Sequence, residues 1–197
     1  MKIENNENEK SIHDQIDESA GMRFINRSHN RTFTLNIFEM NALELMESTR
    51  RIRDPDQGIF LMSQNNKNES NQFHREINRH IHNFVASAKT LVDHTRVFME
   101  ENYRESSILL IYSEKVKSVF ADDPVSKFVH DLRNYMLHRG LPNSQMFLNF
   151  INDPEKGDST LTTGVRIPTE SLLEWSSWTA PARDYISSFS ESPSRNS

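Results

Sequence analysis

A chain of 197 residues has the length of one domain with tails, and its hydrophobic content of 35% with a mean hydropathy of −0.71 leaves part of it outside any packed core. The absence of cysteine excludes a disulfide framework, a zinc ribbon and a thiol nucleophile, and it fits a reducing compartment. A formal net charge of −5 argues against a basic coat that binds nucleic acid over the whole surface, while leaving room for a local cationic site.

The first ten residues contain no apolar run, so no signal peptide is expected. The longest strongly apolar run, Ile108 to Tyr112, falls far short of the ~20 residues that a membrane span needs. A cytoplasmic protein with no membrane attachment is the expectation. Residues 1–21 are rich in Asn, Glu, Asp, Ser and Lys and read as a disordered tail. Residues 22–33 carry only a weak pattern. From Thr34 to Arg53 the apolar positions Leu35, Phe38, Leu45 and Met46 fit a helix with a broad buried face, and Asp54-Pro55 ends it. A short apolar segment, Ile59 to Met62, precedes the polar run 63–70, which reads as a loop.

The longest regular segment follows. Phe73, Ile77, Ile81, Phe84, Ala88, Leu91, Thr95 and Phe98 recur at spacings of four and three, which predicts one long helix over 71–102. Residues 108–121 read as another helix. Asp122-Asp123-Pro124 supplies a carboxylate cap and a first-turn proline for a helix over 123–139, and Gly140 with Pro142 stops it. The period then changes to two. Residues 146–151 and 160–167 read as the strands of a hairpin, with a turn over 153–158. Ser171 to Glu174 has the form of a capping box and opens a last helix to Ser188 that Pro181 interrupts. Residues 190–197 form a loose tail. The chain therefore divides into a tail (1–21), a helical bundle (22–142), a hairpin-plus-helix elaboration (143–189) and a tail (190–197). The fold class is mainly α.

The chemistry-bearing segment is the helix over 123–139. Residues four apart share a face, so His130, Asn134 and His138 form a polar stripe with Arg133 beside it. Arg133 and His138 are ~140° apart around the axis and ~7.5 Å apart along it; they flank a groove that a ligand or a second copy of the helix would fill. Arginine presents a fork of donors matched to phosphate, histidine both takes and gives a proton near neutral pH, and asparagine holds a tautomer or donates to a phosphate oxygen. That set suits metal-independent cleavage of RNA. Plainer roles stand beside this one. Arg133 would equally pair with Asp131, a glutamate of the long helix or a terminal carbonyl. His138 would equally favour the dipole at the end of its helix.

The segment Phe128 to Pro142, with Arg133, Asn134, three further residues and His138, resembles the HEPN domain family over roughly residues 34–142. The resemblance implies an antiparallel helical bundle, here carrying a C-terminal β-hairpin and a further helix. It also implies endoribonuclease activity in a toxin or defence setting. The site would be composite across a homodimer, with Arg133, Asn134 and His138 as catalytic residues, RNA as substrate, an antitoxin or other regulatory protein as partner, and no cofactor or metal. Some members keep the fold without cutting RNA. One subgroup has a tyrosine, two positions after the histidine, that a nucleotidyltransferase modifies. Gly140 stands there in this chain, which argues against that control.

Outside this segment, His80 and His82 point ~200° apart on a helix and do not share one ion. His74, Glu76, Arg79 and Asn83 read as a solvated or interface face, with Asn83 also placed to orient the motif from a neighbouring helix. Trp175 and Trp178 would stack bases or, more in keeping with their spacing, pack a core. Five glycines and no glycine-rich phosphate loop leave no basis for a nucleotide-binding α/β fold.

Overall fold

The computed structural model describes residues 11–153 and 158–190, with the backbone alone for 151–153 and 158. Residues 1–10 of the predicted tail at 1–21, residues 191–197 of the predicted tail at 190–197, and most of the predicted turn at 153–158 lie outside the described residues. The chain is mainly helical with one two-stranded antiparallel sheet. The elements in order are α1 (Ile12–Asp17), α2 (Ala20–Arg53), α3 (Pro55–Met62), a 3-10 turn (Gln64–Asn66), α4 (Lys67–Tyr103), α5 (Ser107–Phe120), α6 (Pro124–Arg139), β1 (Gln145–Asp153), β2 (Asp158–Arg166), α7 (Thr169–Leu173) and α8 (Ala180–Ser190).

Two of these boundaries differ from the sequence expectation for the same reason, which is that local capping outranks composition. Residues 12–17 and 20–33 are helical where a polar tail and a weak pattern suggested otherwise. Ser11 forms a reciprocal capping box with Asp14, and the Ser19 side chain accepts from the Met22 amide. The polar run 63–70 is likewise mostly helical. The Ser63 side chain accepts from the Asn65 amide to open the 3-10 turn, while α4 itself starts without a side-chain cap on the good helix formers Lys67 and Glu69. Pro181 does not interrupt a helix; it occupies the second position of α8, where a missing amide donor costs nothing. Residues 174–179 separate α7 from α8.

α2 and α4 are the longest elements, and they run antiparallel. Thr34 bonds His94, and Ser48 bonds His80, so the sum of the paired residue numbers is 128 in both cases. The two rungs lie fourteen residues apart on each helix, nearly four turns and therefore on one face. Two apolar clusters form along α4. Phe73 and Ile77 meet Ile52 of α2 and Leu61 of α3, with Met146 and Val165 of the hairpin packed alongside. Val85 meets Leu132 of α6 together with Leu172, Trp178, Ala182 and Ile186. The segment after residue 142 thus contributes to both clusters.

The hairpin is anchored by a close approach. β1 and β2 pair with Met146 opposite Val165 and Leu148 opposite Thr163. The buried Thr163 donates to the carbonyl of Ile52 at 2.6 Å, and a Cβ added to Gly58 of α3 would stand 2.5 Å from the Thr163 Cβ. Only glycine lets the helix and strand meet at that distance.

Candidate functional site

α6 begins and ends as its sequence dictates. The Asp123 carboxylate accepts from the Ser126 amide at 2.7 Å, and Pro124 opens the first turn. Gly140 closes the helix at φ +100°, a conformation that side chains with a Cβ rarely adopt. The inner face carries Phe128, Leu132, Tyr135 and Met136 toward α8. There Trp178 stacks between Phe128 and Tyr135 at centroid distances of 5.8 Å to each. Its indole N–H donates to the Leu172 carbonyl at 2.6 Å. Trp178 is buried and Trp175 half-buried, so the pair packs the core and offers no open stacking platform.

The outer face of α6 carries Arg133, Asn134 and His138, together with the exposed His130 and Leu137. Leu137, 61% exposed, lies between Arg133 and Asn134 around the axis. Arg133 and Asn134 are half-buried and His138 is exposed. Among the described residues, none forms a side-chain hydrogen bond or ion pair with any of these three. The neighbouring acid is accounted for elsewhere. Asp131 is buried, and its Oδ2 accepts from the Thr179 amide at 2.8 Å and the Thr179 hydroxyl at 2.7 Å. Its Oδ1 lies 3.3 Å from His130 Nδ1. Asp131 therefore ties α6 to the start of α8, and the pairing of Arg133 with Asp131 is absent. Arg133 stands toward α4 instead. Asp93 is held below the usual carboxylate range by its bond to Lys89, with Lys89, Arg96 and Arg133 adding their charges.

Asn83 does not reach the motif; its Oδ1 lies 3.4 Å from His82 Nδ1. His80 is buried against α2 while His82 is exposed, as their separation around the helix requires. His74 is a latch, not a solvated group. Its Nε2 lies 2.8 Å from the Ser144 carbonyl and 2.9 Å from the Ser144 hydroxyl, which also donates to Asn78 Oδ1 at 2.8 Å. This cluster clamps the entry to β1. No local pattern signals it, because its partners are 70 residues apart.

One further cluster has the composition of a hydrolytic relay. Ser48 Oγ is 2.7 Å from His80 Nδ1, and Glu44 is 3.5 Å from His80 Nε2. Arg79 decides against that role. Its guanidinium nitrogen lies 2.6 Å from His80 Nε2 and has only protons to give. Nε2 must accept, so Nδ1 carries the proton and donates to Ser48. A ring in that tautomer does not take a proton from serine. Glu44, 3.6 Å from Arg79, balances the guanidinium charge.

Among the described residues no group of three or more His, Asp or Glu side chains is arranged to hold a metal ion, and no helix is long and apolar enough to cross a membrane. No protein-family model, curated protein or solved structure matches the chain.

Proposed function

We propose that the chain is a HEPN-type, metal-independent endoribonuclease that works as a homodimer through Arg133, Asn134 and His138. The observation that carries this reading is the outer face of α6, where three polar side chains of complementary chemistry stand around an exposed leucine with no hydrogen bond or ion pair to any described side chain. A buried or half-buried donor left unpaired is costly, and a phosphate or a second copy of the helix would satisfy it. Arg133 and His138 diverge around the axis. Two α6 helices packed across Leu137 would set Arg133, Asn134 and His138 of both copies around one groove. His138 would then take the proton of a ribose 2′-hydroxyl. The freed oxygen attacks the adjacent phosphorus as the bond to the 5′-oxygen breaks, and the leaving oxygen takes up a proton. The products are a 2′,3′-cyclic phosphate and a 5′-hydroxyl. Arg133 would balance the charge gathering on the phosphate oxygens, and Asn134 would hold the ring or a phosphate oxygen.

The test is cleavage of a labelled mixed RNA in chelator by wild type, Arg133→Ala and His138→Ala. Circular dichroism and light scattering follow fold and mass. Loss of cutting in both variants with fold and mass unchanged supports the reading. Leu137→Glu should convert a dimer into monomers and silence cleavage with them. Wild-type protein that is monomeric and cuts nothing would defeat it.

A second reading, a non-catalytic interaction module for a regulatory protein or antitoxin, is favoured by a separate observation. α5 buries none of its residues, and Ile108, Leu110, Ile111 and Phe120 are exposed on it. A chain that pulls down a specific partner through α5, with His138→Ala leaving its phenotype intact, would support that reading.

A further inference from the structure

Between the first half of α2 and the last third of α4 lies an open cavity of about 410 Å³. It is lined by the polar Arg27, Arg31 and His94 and by the apolar Phe33, Leu91 and Phe98. Arg27 Nε is buried and makes no hydrogen bond, the one such side-chain atom among the described residues. Native proteins seldom leave a buried donor unpaired, and a guanidinium donor least of all. Arg31 lies four residues on, on the same face of α2, with its guanidinium 5.4 Å from the centre of the Phe98 ring. Like charges at that spacing repel. Neither arginine has an ion-pair partner among the described residues, although Glu101 also lines the cavity.

The histidine is oriented for the same task. The Thr34 hydroxyl donates to the Asn30 carbonyl at 3.0 Å, which spends its one proton. His94 Nδ1, 3.0 Å from that oxygen, must then be the donor. Nε2 of the neutral ring is left as an acceptor, for a proton carried by a ligand. Two guanidinium forks and an acceptor nitrogen suit a phosphate, which offers two oxygens to the forks and a third that can carry the proton Nε2 accepts, better than a carboxylate, which has no third oxygen. The apolar part of the lining suits a flat or aliphatic body attached to it, and the volume falls within the ~300–1,000 Å³ usual for small-molecule sites.

We propose that this cavity binds a small phosphomonoester with an apolar or aromatic body, its phosphate held by Arg27, Arg31 and His94. The site is separate from the outer face of α6. Asp93, which feels the charge of Arg133, precedes His94 and projects ~100° away around α4.

The test is calorimetric titration of the full chain with phenyl phosphate, benzoate and inorganic phosphate, beside Arg27→Met and Arg31→Met, which keep the apolar stems. Phenyl phosphate should bind with a Kd of about 1 mM or tighter. Benzoate and inorganic phosphate should each bind at least ~10-fold more weakly, and each variant should lose about the same factor. Wild-type protein that ignores phenyl phosphate overturns the proposal, as do variants that bind it unchanged. Inorganic phosphate binding as tightly as phenyl phosphate overturns the organic body. Should either variant fail to fold, the Arg27 Nε–H resonance of the wild-type chain, identified by its loss in Arg27→Lys, replaces it as the readout. It must shift on addition of phenyl phosphate, and a fixed resonance during binding overturns the assignment.

Discussion

Ser48 and His80 are joined across α2 and α4 by a 2.7 Å bond to the ring Nδ1, while Arg79 occupies the other ring nitrogen. His80 is 8% exposed and has both ring nitrogens engaged, so it behaves as a structural rung. His80→Ala should destabilise the chain by about 2 kcal/mol and Ser48→Ala by about 1 kcal/mol, through lost packing and unpaired donors. Urea unfolding measures both. An unchanged midpoint in His80→Ala would show that the rung carries no strength.

The contact between α3 and β2 leaves no space for a methyl group at Gly58. Thr163 cannot retreat without giving up its bond to the Ile52 carbonyl. Gly58→Ala should therefore cost about 1–3 kcal/mol, the usual range for overpacking, although alanine is intrinsically the better helix former. A thermal melt at or above that of wild type would contradict the close approach.

Asp131 holds α6 to the residue just before α8 by two bonds to Thr179. Asp131→Ala should cost about 2–3 kcal/mol and Thr179→Val about 1 kcal/mol. The double variant should lose less than the sum, because both changes remove one shared bond. Strict additivity in a double-mutant cycle would mean that the residues act independently.

Acid should weaken the fold through two aspartates. The side-chain and then the backbone bond of Ser126 hold Asp123 below the usual value of 3.8, and the bond from Lys89 does the same for Asp93. A carboxylate lowered in the folded state contributes stability that is fully present above 3.8 and is lost as pH falls through the folded value. The change lies below about pH 4. Both groups are half-buried and still reached by water, so solvent screening keeps the effect small. Asp123→Asn should flatten the acid limb of a stability–pH curve; a parallel limb would assign the loss to other groups.

The long helices and the hairpin were legible because their signals are periodic. Phe73, Ile77 and Phe84 mark α4, Asp123-Pro124 and Gly140 bracket α6, and alternation marks β1 and β2. The extra turns of α2 were not legible by composition, since residues 20–33 are polar or apolar on every side. Their signal was Ser19, a cap that carries little weight without a following stripe. The motif residues were readable as a face of α6, because helical geometry alone sets that. The partners that qualify them were not. Thr179 on Asp131, Asp93 near Arg133 and Ser144 on His74 are 40 to 70 residues away in sequence, and tertiary packing alone brings them together. The Arg27–Arg31–His94 cavity had no signal beyond two arginines four apart.

α4 is a wall common to two clusters that otherwise share no buried residue. Ile77 belongs to one and Val85 to the other, eight residues and ~12 Å apart along the axis. Each cluster draws its remaining members from different helices, so each can open while the other stays shut. Amide exchange should separate the chain into two cooperative units, one of α3 and the hairpin and one of α6 to α8, with α4 slowest because it must leave both. The outer face of α6 moves with the second unit. Any partner that clamps this face would slow exchange in α8, which it never touches, and leave the hairpin unaffected.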